Sequence, residues 1–168
     1  MDSLSLKFAC GYTGKCTGVT GSPTLAASVS DMVRCTASGA NYQVYSKQIT
    51  VAGGVTTTLD LTTGLTNPLN ESINGSLDFA KILGVLIEHD PASISSSITV
   101  FGGGSNDFQG PLAAGNKPTL NPAEWFAFGK PSSVTGWTVD GTHKNVAVLN
   151  NDGTDAATVN VFILGKTT

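Results

Sequence analysis

Histidine and cysteine build many catalytic sites, and this chain of 168 residues holds two histidines and three cysteines. A Ser–His or Cys–His nucleophile pair would have to use His89 or His143. His89 follows a predicted strand, just before Asp90 and Pro91, and His143 lies in a predicted turn. Both are predicted to be ordinary surface turn residues. We therefore predict that the protein is not an enzyme and that it has no catalytic residues.

The ligand spacing of a metal site is also missing. Structural zinc sites use close pairs such as Cys-x2-Cys, and the gap between Cys10 and Cys16 is wider than that, while Cys35 is distant. Residues 151–155 carry acidic side chains, but they lack the distant glutamate of a calcium loop. No metal or other cofactor is predicted. The odd cysteine count favours reduced thiols, although a bond between Cys10 and Cys16 stays open.

The charge pattern argues against nucleic acid as a partner. Nine lysines and arginines are scattered singly, the net charge is −3 and the pI is about 5.1. Nucleic-acid binding needs a concentrated positive surface. Gly102-Gly103-Gly104-Ser105 lacks the lysine of a phosphate-binding loop and a helix after it. No apolar run has the length of a membrane span, and the first residues do not form a signal peptide, so synthesis in a cytosol is predicted.

Two tryptophans offer a different chemistry. Trp125 and Trp137 lie near predicted loops, and an exposed indole on a β-sandwich can stack on a sugar ring. They are candidate residues of a glycan platform. The alternative is core packing, since aromatic side chains favour buried strands.

The hydrophobic pattern predicts strands along the whole chain. Leu4, Leu6 and Phe8 alternate with polar residues, and Val159, Val161 and Ile163 do the same near the other end. Only 12% of residues are charged, against roughly a quarter in an average soluble domain. Turn signals separate eight or more strand candidates, and residues 150–153 predict a hairpin between the last two. We predict an all-β fold, an antiparallel β-sandwich of jelly-roll or Greek-key type.

The domain organisation follows from these segments. Residues 1–168 are predicted to form a single β-sandwich domain, with 55–168 as the main sandwich and 1–54 as a candidate N-terminal arm or extension. Leu4, Leu6 and Phe8 are the candidate assembly residues of that arm, which could add a strand to a neighbour's sheet. The low charge indicates either a surface covered by neighbours or an ordinary threonine-rich β surface.

The order of motifs from about residue 55 to residue 165 resembles a family of small tailed-phage virion proteins. The matching motifs are Thr58-Leu59-Asp60-Leu61-Thr62, Leu77-Asp78-Phe79-Ala80-Lys81, Val85-Leu86-Ile87-Glu88, Ile98-Thr99-Val100-Phe101-Gly102-Gly103, Gly136-Trp137-Thr138-Val139-Asp140, Asn145-Val146-Ala147-Val148-Leu149-Asn150-Asn151 and Val159-Asn160-Val161-Phe162-Ile163-Leu164-Gly165.

The resemblance implies a virion structural protein, most specifically a head decoration or cement protein without catalytic residues. Its implied partners are the major capsid protein, other virion proteins and further copies of the chain, with a trimer favoured. Its implied location is the virion, after synthesis in the host cytoplasm. A carbohydrate-binding tail or fibre module is the alternative, and it would use Trp125 or Trp137.

Overall fold

The structure is a computed structural model, and it describes residues 3–7, 34–38, 42–66, 76–113, 115–130 and 136–166. All regular secondary structure in these ranges is β-strand. The strands are β1 (Ser3–Lys7), β2 (Arg34–Ser38), β3 (Tyr42–Val51), β4 (Thr56–Asp60), β5 (Leu65–Thr66), β6 (Ser76–Leu77), β7 (Lys81–His89), β8 (Ile98–Phe101), β9 (Thr119–Leu120), β10 (Trp125–Gly129), β11 (Trp137–Thr138), β12 (Asn145–Asn150) and β13 (Ala157–Lys166).

Two antiparallel sheets form the body of the protein. The five-stranded sheet has the order β10-β7-β13-β3, with β11 also paired to β7, and the four-stranded sheet has the order β4-β12-β8-β9. The pairing is nested: β3 pairs with β13, β4 with β12, β7 with β10, and β8 with β9. A long hairpin of nested pairs that is rolled into two sheets is a jelly roll. The predicted antiparallel β-sandwich of jelly-roll or Greek-key type is confirmed.

Side-chain alternation places the core between the two sheets. Along β13, Val159, Val161 and Ile163 are fully buried, and the residues between them face outward. Opposite them, Val146 and Val148 of β12 are also fully buried. Burying one such side chain contributes roughly 1.5–3 kcal/mol, so the alternating pattern is enough to fix which face of each strand is internal.

The structure moves the boundary of the predicted arm. The candidate arm 1–54 includes β3, and β3 pairs with β13 along its whole length as a member of the five-stranded sheet. Val51, near the end of β3, is fully buried. An arm can therefore comprise only residues before 42. Within those residues β1 pairs with β2, and Leu4 and Leu6 lie on β1, whereas Phe8 lies outside the described residues.

The loop between β3 and β4 lies against the loop between β12 and β13. Residues 52–55 contact residues 151–156, and the Gly54 N–H donates to the Asp152 carbonyl at 2.6 Å. The backbone of Thr154 fills the space that a side chain at Gly53 would occupy. The hairpin predicted at residues 150–153 is wrong, because β12 and β13 belong to different sheets. This segment instead crosses from one sheet to the other.

Candidate functional site

His89 does not occupy the surface turn that the sequence predicts. Its side chain is fully buried at the end of β7, and Nδ1 lies 3.1 Å from the Leu120 carbonyl of the other sheet. Nε2 has no hydrogen-bond partner among the described residues. The imidazole therefore faces the interior and links β7 to β9 of the other sheet.

His143 lies in the exposed turn that the sequence predicts. Its Nδ1 lies 3.1 Å from Oδ1 of Asp140, and the same carboxylate accepts hydrogen bonds from the backbone N–H and hydroxyl of Thr142. Hydrogen bonds from Thr142 and then His143 lower the pKa of Asp140 to about 2. Thr142 Oγ1 also lies 3.1 Å from His143 Nδ1, but this hydroxyl donates to Asp140 at 2.8 Å, so the three side chains stabilise one exposed turn.

This turn gives a pH prediction. Because the folded-state pKa of Asp140 is lowered from 3.8 to about 2, its stabilising contribution is present above pH 3.8 and is lost as the pH falls through about 2. Urea midpoints measured across that range should fall less for Asp140→Asn than for the unmodified protein. Asp78→Asn, at an exposed position outside the turn, serves as the control. Equal pH slopes for all three proteins would contradict the prediction.

No metal centre assembles in the part of the chain that is described, since no three His, Cys, Asp or Glu side chains cluster there. In the acidic segment 151–155, Asp152 instead accepts hydrogen bonds from the backbone N–H groups of Thr154, Asp155 and Ser96. These bonds lower the pKa of Asp152. Cys35 lies on β2 opposite Leu6, whereas Cys10 and Cys16 lie outside the described residues.

The described residues also contain no helix that is long and apolar enough to span a membrane.

The glycine run after β8 makes a tight chain reversal. Gly103 and Gly104 have φ values of 89° and 87°, which L side chains rarely adopt. A side chain at Gly103 would lie 2.9 Å from Cβ of Asn145 and 3.4 Å from Cβ of Ala147, so this loop lies against β12.

The two tryptophans lie on opposite faces of the five-stranded sheet. Trp137 pairs with the buried Ile82 and packs against the core. Its ring lies edge-on to the Phe128 ring, with the centroids 5.2 Å apart, and the Lys130 ammonium lies 4.8 Å from the Trp137 ring centroid. Trp125 is 38% exposed and pairs with Glu88. Their β7 partners are six residues apart, a separation of about 20 Å, so the two indoles do not form one platform.

Trp125 stands at the end of a cross-strand row on the outer face of this sheet. In register, Gln48 of β3, Asn160 of β13, Glu88 of β7 and Trp125 of β10 lie side by side, and we call them the Trp125 row. Directly opposed residues point to the same face. Strand order therefore places amides, a carboxylate and an exposed indole in one line.

Hydrogen bonds hold the polar part of the Trp125 row in place. Gln48 Nε2 donates to Asn160 Oδ1 at 3.1 Å and to Asp90 Oδ2 at 3.0 Å. Asn160 Nδ2 donates to Glu88 Oε2 at 3.1 Å and to Asp90 Oδ2 at 3.3 Å. Among the described residues, Gln48 Oε1 and Glu88 Oε1 accept no hydrogen bond. These two oxygens are free to accept hydrogen bonds from a ligand.

The turn before Trp125 is strained and anchored. Residues 121–124 form a β-turn in which the Glu124 N–H donates to the Asn121 carbonyl, and Ala123 has a φ of 70°. This is a type II turn, where glycine is the usual residue at the third position. Glu124 Oε2 accepts hydrogen bonds from both nitrogens of Asn121, and the Ala123 N–H donates to the His89 carbonyl. The entry into β10, and with it Trp125, is fixed against β7.

The outer face of the four-stranded sheet is nearly free of charge. We call it the threonine face, and its members are Thr56, Thr58, Thr99, Thr119 and Leu149. Thr99 Oγ1 lies 3.3 Å from Thr119 Oγ1 and accepts a hydrogen bond from Asn151.

Charged groups appear only at the margins of this face in the described chain. Asp60, at the end of β4, is paired with Lys144 at 2.6 Å, and the Lys117 ammonium lies 5.4 Å from the Phe101 centroid. Burial alone would raise the pKa of Asp60, but hydrogen bonds from Lys144 and Thr62 outweigh it and lower that pKa. Thr56, Leu149, Thr99 and Thr119 lie side by side across the four strands and carry no charge, and a surface of hydroxyl and aliphatic groups is suited to being covered.

Sequence reasoning missed both the Trp125 row and the threonine face as surfaces. Each combines strands that are far apart in the chain: Gln48 and Asn160 are separated by 112 residues. The alternation of threonine with apolar residues around Thr56 and Thr58 was the one available signal, and it did not show which strands would lie beside them.

No known protein family matches the chain, and no curated protein matches it. Among solved structures, the coat protein of Tobacco streak virus is similar with 10% sequence identity and a TM-score of 0.37. That similarity covers 76% of this chain and 87% of the coat protein chain.

Proposed function

We propose that this chain is a virion structural protein, a capsid decoration or cement protein that stabilises a phage head through protein–protein contacts. The observation that carries the proposal is the threonine face on a jelly roll. Jelly rolls form viral capsid proteins as well as lectins and cupins, so the fold is compatible with the role but does not define it. The motif resemblance to phage virion proteins supports the same role.

The physical argument is the low cost of covering the threonine face. Burying an unpaired charge is expensive, whereas burying leucine is favourable and a threonine hydroxyl costs little when it hydrogen-bonds across the interface. A stable contact typically buries about 1,600 Å² in total, and a shell repeats each contact many times. The partners in this proposal are the major capsid protein and further copies of the chain, arranged as a trimer.

The arm belongs to the same proposal in a shortened form. Residues before 42, with Leu4 and Leu6 on β1, would add a second contact to a neighbouring subunit. In this proposal the protein is made in the host cytoplasm and functions in the virion. A tail or fibre module that binds carbohydrate is the second candidate, and the exposure of Trp125 is the observation that favours it.

A matched pair of substitutions tests the threonine face. Thr58 and Thr50 are both exposed threonines, the first on the outer face of the four-stranded sheet and the second on that of the five-stranded sheet. Thr58→Arg should reduce binding to particles that lack the protein by about tenfold or more, because an unpaired charge enters the contact. Thr50→Arg should bind like the unmodified chain. Co-sedimentation with purified particles measures both.

Both variants must first show unchanged thermal unfolding, since surface substitutions alter stability little. Equal binding of Thr58→Arg and the unmodified chain would contradict the threonine face as the contact. Failure of the unmodified chain to bind particles at all would contradict the proposed function.

A further inference from the structure

We propose that the Trp125 row is a binding site for a neutral oligosaccharide. The indole supplies an apolar surface on which the C–H face of a pyranose ring can stack, and Trp125 is one of three large hydrophobic side chains that are exposed in the described chain. The hydroxyls of the same ring would donate to Glu88 Oε1, which lies on the strand next to Trp125 and has no other hydrogen-bond partner among the described residues.

The row also has the length for more than one sugar ring. Three interstrand spacings separate Trp125 from Gln48, a distance of about 14 Å. Gln48 Oε1 provides a second free acceptor at the far end. An oligosaccharide that lies across the strands can therefore stack at one end of the row and hydrogen-bond along it.

Charge selects a neutral ligand. Glu88 and Asp90 bring two carboxylates to the row, and both bind Asn160 Nδ2. The flanking positions on the same face hold no lysine or arginine: they are Ser46, Thr50, Leu86, Ala127, Thr158 and Phe162. A phosphate, a sulfated sugar or another anion would meet like charge with no compensating cation.

The polar side chains of the Trp125 row are held in place before a ligand binds. The two amides and two carboxylates are fixed by four hydrogen bonds of 3.0–3.3 Å, so little side-chain freedom is lost when a ligand binds. The strained φ of Ala123 holds the turn that presents Trp125, and such strain is concentrated at functional positions.

This inference gives a site and a ligand class to the second candidate function, carbohydrate binding, and it is separate from the particle contact. The Trp125 row lies on the outer face of the five-stranded sheet, and the threonine face lies on the outer face of the other sheet. Both surfaces could be occupied at once. A chain that binds particles but no oligosaccharide would refute only the inference, and the reverse result would refute only the particle contact.

The test uses the two tryptophans as built-in probes. The protein contains two tryptophans, so an ¹⁵N–¹H spectrum has two indole signals, and Trp125→Phe assigns them. Cellotetraose, maltotetraose and chitotetraose are titrated at millimolar concentration, with a heparin tetrasaccharide as the anionic probe. At least one neutral tetrasaccharide should shift the Trp125 signal and the backbone amides of the row in a saturable way. The Trp137 signal should not move.

Variants then assign the contact. Trp125→Ala should weaken binding by about tenfold or more, as read from the backbone amides, and Gln48→Ala should weaken it by a smaller factor. Thr50→Ala, on the same face beside the row, should bind like the unmodified chain. The absence of any shift at Trp125, unchanged binding by Trp125→Ala, or preferential binding of the heparin tetrasaccharide would each overturn the inference.

Discussion

Replacing Asn150 by alanine is expected to lower the free energy of unfolding by about 3–5 kcal/mol, because it leaves several buried polar groups unpaired at once. The Asn150 side chain is fully buried at the end of β12. Its Nδ2 donates to the carbonyls of Val51 and Asp155 at 3.0 and 2.7 Å, and its Oδ1 accepts from Ser95 Oγ at 2.6 Å. Chemical denaturation followed by tryptophan fluorescence measures the loss.

The neighbouring residue supplies the control. Asn151 has the same side chain, but its hydrogen bonds to Ser97 and Thr99 are exposed to solvent. Asn151→Ala should therefore cost less than about 1 kcal/mol. Equal losses for the two variants would show that Asn150 does not hold the loops of this end together.

Replacing Gly165 by alanine is the second large effect. A Cβ atom at this position would overlap Cδ1 of Phe79 and lie 2.7 Å from the Lys81 carbonyl. The register between β13 and β7 shifts at this point, so the backbone approaches closely where a side chain would normally point. Because Phe79 is fully buried and cannot move aside, we expect a loss of about 3 kcal/mol, the upper part of the range for overpacking.

A double-mutant cycle isolates the cause of that loss. Phe79→Ala alone should cost about 3–5 kcal/mol through the cavity it leaves. Adding Gly165→Ala in that background should cost less than it does in the unmodified protein, since the overlap with the ring is gone and only the Lys81 carbonyl remains. Strict additivity of the two losses would contradict the packing argument.

Local pattern was sufficient to predict long alternating strands such as β13, because the burial of one face is decided within the strand. The alternation at Val159, Val161 and Ile163 predicts β13, and the structure buries all three. Partner choice is different, since it depends on segments that meet only after the chain has folded. The turn residues near Asn150 favour a hairpin locally, yet β12 pairs with β4 and β8 instead.

The burial of the polar residue His89 could not be predicted from the sequence either. Asp90 and Pro91 after His89 indicate a surface turn. In the fold, however, the imidazole contacts β9, where the Leu120 carbonyl, 31 residues later in the chain, lies 3.1 Å from Nδ1. The Trp125 row likewise needs four strands in register before its chemistry exists. Trp125 itself could be singled out from the sequence, whereas its polar partners could not.

The most direct test of the proposed function is an electron cryomicroscopy reconstruction of phage particles assembled in the presence of this protein. We expect a symmetric array of jelly-roll densities in which the threonine face, with Thr58 on its edge strand β4, is covered by a neighbouring subunit and the Trp125 row faces solvent. Particles that lack the chain, or an array in which the four-stranded sheet faces solvent, would contradict it.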